Sequence, residues 1–201
     1  MTFADYFLLS IFYFWASSTA LSLGIGYYTI YRPVMAGMIA GLILKDAQKG
    51  MMAGAVVNII YIDFVSTGGS FKGDQCLTAI LAAMASILFN LHPLEASALA
   101  YPFGFLGILI WKYRLKINNV FVHIYEKKYK DKKNPDISVY DGLLPQALLL
   151  LMSSLVFVAA AFLMFLLNDI INFKNIGALY YIGLILVIFS AFNVLHKIKN
   201  K

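Results

Sequence analysis

Asn58, Asp63 and Asp74 stand inside or beside apolar runs long enough to lie in a membrane, and Ser66-Thr67-Gly68-Gly69-Ser70 lies between the two carboxylates. A polar group at membrane depth is costly unless it is paired or lines a pathway. Asn58, Asp63, Ser66, Thr67, Gly68, Gly69 and Asp74 together offer carboxylate acceptors, an amide and free backbone groups, the set that fixes a polyhydroxyl ligand. The competing role makes Asp63 and Asp74 surface caps and hydrogen-bonds Asn58 between helices. Asp5 and Asp169 read as surface charges, and Lys45, Asp46 and Lys49 as charges that neutralise one another at a turn.

No residue pattern supports catalysis, a resident metal or a cofactor. His92, His123 and His196 are scattered, and no Cys, His and carboxylate cluster has metal-ligand spacing. His92 precedes Pro93 at a helix end and reads as a cap. The glycines of 66–73 follow no strand and lack the Lys-Ser/Thr of a phosphate loop, so nucleotide binding is not expected. The single cysteine, Cys76, cannot form an internal disulfide and reads as buried packing.

The elements that must position these residues follow from composition. Of 201 residues, 61% are hydrophobic and only 13% charged, and the mean hydropathy is +0.78. Soluble domains carry roughly 25% charged residues, so a soluble enzyme, a disulfide scaffold and a disordered tail are all excluded. The fold class expected is an all-α integral membrane protein. The net charge of +6 does not point to nucleic acid, because eight of the 16 basic residues fall in one stretch between apolar runs: Lys112, Arg114, Lys116, Lys127, Lys128, Lys130, Lys132 and Lys133. That is how a membrane protein marks its cytoplasmic side. The start carries no basic n-region, and the uncharged run behind it is too long for a signal peptide.

Residues 6–31 are uncharged and long enough for one spanning helix, closed by Arg32-Pro33. Pro33–Leu44 and Met51–Ile62 are each too short to span, and read as half-helices or a re-entrant hairpin near 33–71. Each carries a GxxxG spacing, Gly37/Gly41 and Gly50/Gly54, that lets helix backbones approach. Asp63–Asp74 has turn chemistry and reads as a loop or unwound segment. Further helices are expected over 75–94, over 96–111 with a kink near Pro102, over 142–167 and over 176–195. Ile117, Val120, Phe121 and Ile124 recur at helical spacing and predict an amphipathic interfacial helix near 117–130 inside a basic loop spanning 112–141. The whole chain reads as a single membrane domain.

The string from Arg32-Pro33 through Gly41, Asp46 and Gly50 to Gly54 resembles the membrane IIC subunit of the mannose/fructose/sorbose-type bacterial sugar phosphotransferase system (PTS). The family pattern is Arg-Pro, an apolar stretch with glycine, then Gly-Asp-x-x-x-Gly and a glycine-rich helix. Gly68 and Asp74 match the family's glycine and its Pro-Asp aspartate, and Leu144-Pro-Gln-Ala-Leu148 fits more loosely. Asn58 stands where the family has a glutamate associated with its sugar site. Gly73 replaces a proline, and Asp63 and Lys45 replace glycines. The family pattern continues into further apolar segments, so the chain is expected to be a fragment or a reduced member whose partner supplies the rest.

The resemblance implies a permease subunit in the bacterial cell membrane that binds a hexose-like sugar. It implies an oligomer with a IID membrane subunit, and a cytoplasmic IIB protein, charged by IIA, that phosphorylates the arriving sugar. The IIC chain itself would be no enzyme and carry no phosphoryl group. Alternating access would come from the hairpin 33–71 moving against the other spans. The alternative is a degenerate IIC paralogue acting as a membrane scaffold without transport, for which Asn58 and the short C-terminus speak.

The charges set a topology in which 112–141 and the C-terminal lysines share the cytoplasmic side, drawn to the anionic inner leaflet. A cysteine placed at Lys130 or Lys199 is expected to resist impermeant thiol reagents in intact cells and to react after permeabilisation. Labelling from outside at either position would overturn this orientation.

Overall fold

The computed structural model describes residues 2–18, 29–62, 73–129, 142–173 and 176–199. Among the described residues there are helices and no strands: α1 Phe3–Ser17, α2 Pro33–Ile43, α3 Ala47–Ile60, α4 Gln75–Leu88, α5 Pro93–Ala100, α6 Gly104–Tyr129, α7 Leu144–Ile171 and α8 Ala178–Lys199. The all-α membrane class is therefore the one found. The segment through Pro93–Lys127, together with α7 and α8, is long and apolar enough to cross a membrane.

The glycines determine how α2 meets α3. Proline at the first position of α2 supplies a preset φ where no intrahelical N–H bond is needed. A Cβ on Gly37 would stand 2.8 Å from the Gly54 Cα, and one on Gly41 would stand 3.0 Å from the Gly50 Cα. The two GxxxG stripes thus face each other in an antiparallel hairpin whose backbones touch, an approach open only to residues without side chains. Its helices have 11 and 14 residues. These reach roughly 16 and 21 Å, short of a bilayer core of about 30 Å.

The turn between them has a specific construction. Lys45 N–H donates to Leu42 O at 3.2 Å and Asp46 N–H to Gly41 O at 2.8 Å, the paired bonds of a Schellman cap. Lys45 takes the left-handed position, φ +67°, where glycine is usual. Asp46 then caps α3 by accepting from Lys49 N at 3.0 Å, and Lys49 Nζ lies 3.8 Å from Asp46 Oδ2. Lys49 also donates to Asn90 Oδ1 at 2.9 Å, so the turn charge is tied to the end of α4.

α4 is the centre of the molecule, with every residue from Cys76 to Ser86 buried. A helix apolar on all sides belongs inside, and the hairpin, α5 and α6 surround it. α7 instead buries one stripe, Leu149, Ser153, Phe157, Ala160, Ala161 and Met164, and exposes Leu151, Leu155, Phe162 and Ile170. α8 buries only Gly183 and Ser190, with Gly183 seated on the backbone of Leu94. Exposed apolar faces of this kind suit lipid, which solvates them without a hydrophobic penalty.

Several boundaries differ from the sequence expectation. The first helix stops at Ser17, because Ser18 is extended (φ −89°, ψ 108°) and its hydroxyl donates to Gln146 Oε1 at 2.8 Å. Residues 19–28 of the expected span 6–31 lie outside the described residues. The helix expected over 75–94 ends at Leu88, where Asn90 turns left-handed (φ +52°) and a His92–Glu95 capping box starts α5. The kink near Pro102 is a turn of 3-10 helix, Tyr101–Phe103. The amphipathic helix near 117–130 is not a separate element but the C-terminal half of α6, which runs unbroken for 26 residues from Gly104. No proline or glycine follows Gly107 within α6 to interrupt it.

Left-handed backbone costs a non-glycine residue about 1–2 kcal/mol. Lys45 is exposed and its side chain is not needed for the Schellman bonds. Lys45→Gly should therefore stabilise the protein by about 1 kcal/mol, read as a raised melting temperature in detergent. A lower melting temperature would show that the lysine side chain outweighs the backbone strain.

Candidate functional site

Gly73 prepares the most polar part of the interior. Its φ of +150° is one that side chains rarely adopt, and a Cβ there would come within 2.6 Å of the Tyr61 hydroxyl. The next residue, Asp74, is the N-cap of α4. Its Oδ1 accepts from Cys76 N at 3.0 Å and Leu77 N at 2.9 Å, two N–H groups that a helix start leaves unpaired. Oδ2 accepts from the Tyr13 hydroxyl at 2.6 Å, a bond between residues 61 positions apart. Tyr31, 1% exposed, is buried in the same core as Tyr13 and Tyr61.

Asp74 is used through its backbone as well. Its N–H donates to Gly104 O at 2.9 Å, and its own carbonyl accepts from Thr78 Oγ1 at 2.7 Å. Thr78 Oγ1 is 3.1 Å from the Tyr61 hydroxyl, just past the end of α3. α6 comes against this group through Gly104 and Gly107, and a Cβ on Gly107 would stand 2.6 Å from Asp74 Oδ2. Tyr13 from α1 and Gly107 thus meet the carboxylate of Asp74, while Thr78, Gly104 and, through Thr78, Tyr61 gather on its backbone; the residue is only 2% exposed.

The candidate residues divide as follows. Asp74 is a helix cap, as the competing role had it, but a buried one whose oxygens are occupied by protein donors. Asn58 is half-buried in the last turn of α3, three residues before Tyr61. It connects to Asp74 along the chain through Tyr61 and across the Tyr61–Thr78 bond. Asp63, Ser66, Thr67, Gly68 and Gly69 lie outside the described residues. His92 is a cap, accepting from Leu94 N at 3.3 Å.

The sequence reading passed over Tyr13, Tyr31, Tyr61 and Thr78. A signal was present, since a tyrosine inside an apolar run must find a partner for its hydroxyl or lose a hydrogen bond on burial. The pairing itself joins positions far apart in the chain and is set by the tertiary fold.

Removing the carboxylate should strand two helix N–H groups and a buried phenol. Loss of a cap costs about 0.5–2 kcal/mol and a buried unsatisfied group about 1–3 kcal/mol. Asp74→Ala should destabilise the protein by about 2–4 kcal/mol, whereas Asp74→Asn, which keeps the cap acceptor, should cost roughly half as much. Thermal unfolding in detergent checks this, and equal losses for the two variants would show that the cap contributes nothing.

Residues 3–176 match the family described as PTS system sorbose-specific IIC component. The chain is similar to the sorbose-specific EIIC component of Klebsiella pneumoniae, 26% identical over 106 residues, covering 53% of this chain and 40% of that protein. It is also similar to the sorbose-specific EIIC component of Lacticaseibacillus casei, 21% identical over 118 residues, covering 59% of this chain and 43% of that one. In both cases the match spans less than half of the relative's length. Among solved structures, a membrane protein aligns over 98% of this chain and 81% of its own, with a TM-score of 0.74 and 18% identity. The mannose transporter ManYZ in complex with microcin E492 aligns over 98% of this chain and 80% of its own, with a TM-score of 0.61 and 17% identity. Those two likenesses concern the fold, and the family match covers most of the chain. The chain belongs to the PTS sorbose-specific IIC family of membrane components.

Proposed function

We propose that this chain is the sugar-translocating subunit of a phosphotransferase permease in a bacterial cell membrane. It binds a hexose-like sugar beside Asn58 and the segment carrying Asp63, Ser66, Thr67, Gly68 and Gly69, with Asp74 anchoring the far end of that segment. The observation that carries this reading is the placement of Asn58. It is a half-buried amide in the last turn of a helix too short to span, packed backbone-to-backbone in a hairpin, immediately before a polar segment. Broken helices of this kind are where transporters place substrate sites.

The curated relatives are sorbose-specific components and one structural neighbour is a mannose transporter, which supports a hexose-class ligand. On this reading the chain works with a IID-type membrane subunit and hands the sugar to a cytoplasmic IIB protein charged by IIA. The chain binds and moves sugar and leaves phosphoryl transfer to those partners. The basic half of α6 and the basic end of α8, with His196, Lys197 and Lys199 in its last turn, face the cytoplasm. There the α8 charges also complement the negative end of the helix dipole.

The chemistry at Asn58 provides the test. A carboxylate accepts charge-assisted bonds from sugar hydroxyls, while an amide offers one neutral acceptor and two donors. Hydrogen bonds to charged groups contribute about 1.5–3 kcal/mol and neutral ones about 0.5–1.5 kcal/mol. Asn58→Glu should therefore tighten hexose binding by about one decade, since 1.4 kcal/mol is a tenfold change. Isothermal titration of the purified complex with mannose, fructose and sorbose decides it. Unchanged affinity would remove Asn58 from the site, and no binding by either form would favour a scaffold without transport.

A further inference from the structure

The described helices pack in two groups. α1 lies chiefly against α7, and α7 against α6. The hairpin α2–α3 packs with α4 and α5, and α8 covers α5 and α3. Among the contacts that cross between the groups in the interior, beside the Asp74 N–H to Gly104 O bond, two pair side chains of α4 with side chains of α1 and α7. One is aromatic: Phe89 at the end of α4 meets Phe165 of α7 edge-on at 5.1 Å and Phe173 at 6.4 Å. Such a contact prefers an edge-on geometry but pairs no donor with an acceptor. The other is the 2.6 Å bond from the Tyr13 hydroxyl on α1 to Asp74 on α4, which is directional, charge-assisted when the carboxyl is ionised, and buried.

The covalent passage between the groups lies beside that bond. The chain leaves α5 through the 3-10 turn Tyr101–Phe103 and enters α6 at Gly104, whose carbonyl accepts from Asp74 N. Gly107, one turn later, bears on the Asp74 carboxylate itself. A proline-containing turn followed by two glycines has the construction of a hinge, since a change of pitch there disturbs few i to i−4 bonds.

We propose that Tyr13 and Asp74 form a latch across this junction, and that Tyr13 is a positioning residue that acts on translocation through Asp74. With the bond made, the α1–α7 pair is held in one register against the hairpin group. Any movement of the hairpin group past α1 must break the bond, so the latch sets the rate of that movement without touching sugar. Its role in transport rests on the proposed function; the latch itself is independent of any ligand.

The chain carries a native reporter. Cys76 is its single cysteine, fully buried two residues from Asp74, whose Oδ1 accepts from the Cys76 N–H at 3.0 Å. N-ethylmaleimide labelling of Cys76 in the purified full chain therefore reads latch opening. Tyr13→Phe, which removes one oxygen, should raise the labelling rate about tenfold. Ser18→Ala breaks a hydrogen bond of similar length, but one inside the α1–α7 group, and should leave the rate within about twofold. Asp74→Asn keeps the cap acceptor and replaces the charge-assisted bond by a neutral one from its Nδ2 to the Tyr13 oxygen, so it should accelerate labelling by less than Tyr13→Phe. The double variant should label no faster than the more reactive single one, as expected of two residues acting through one bond. In vesicles taking up mannose, Tyr13→Phe should change the maximal rate several-fold and leave KM within about twofold. Labelling equal to wild type in both Tyr13→Phe and Asp74→Asn, or equally accelerated in Ser18→Ala, overturns the latch. Accelerated labelling in a protein whose wild type neither binds nor moves mannose, fructose or sorbose upholds the latch and overturns the transport reading.

Discussion

A carboxylate buried among apolar helices must be satisfied from within, and the arrangement around Asp74 follows from that constraint. Taking such a group out of water costs several kcal/mol unless donors replace the lost hydration. The Asp46–Lys49 ion pair and the His123–Glu126 contact do not include Asp74. Its compensation is two backbone N–H groups, the positive end of the α4 dipole and the Tyr13 phenol. Each donor comes with an element attached. Meeting the needs of one side chain therefore fixes where α1 stands against α4, and the glycines of α6 are what allow a third helix into the same space.

A second constraint, steric in origin, builds the hairpin. Gly37, Gly41, Gly50 and Gly54 remove the side chains between α2 and α3, so their backbones meet directly. Dispersion and the absence of side-chain entropy then hold two helices too short to cross a bilayer. The two constraints are neighbours. α3 ends beside Tyr61, and Tyr61 reaches Asp74 through Thr78, so the end of the glycine-packed hairpin is hydrogen-bonded to the polar centre. The half-buried amide of Asn58 stands at the open end of this hairpin, in the last turn of α3 before Tyr61.

The outer surface obeys different physics. α7 and α8 expose leucine, isoleucine and phenylalanine over much of their length, which in water would drive aggregation but in a bilayer matches the solvent. The buried polar residues of these helices are Ser153 and Ser190, and their charged residues lie near the ends. The interior is specified by hydrogen bonds and close backbone contacts, while the exterior needs only to be apolar.

The sequence by itself determined the class, the approximate helices and the hairpin. Low charge and long uncharged runs admit only a membrane solvent, and the GxxxG spacings support close packing, while their pairing with each other is shown by the structure. The resemblance over Arg32–Asp74 likewise pointed to the family that the match over residues 3–176 establishes. Local patterning also put Asp74 at a helix start and read His92 as a cap, though at the end of the preceding helix and not at the start of α5, because capping is a property of a few consecutive residues. What it missed depended on distance or on context. Ser17 ends α1 although the uncharged run continues, since Ser18 finds Gln146 of α7, a partner the local sequence does not contain. The amphipathic stretch after Lys112 reads as a separate helix because its hydrophobicity changes, but hydrogen bonding along the axis is indifferent to polarity and α6 continues through it. The roles of Tyr13, Tyr61 and Gly107 were decided only by the tertiary structure, because each is defined by a contact with Asp74 or Thr78 that no spacing along the chain encodes.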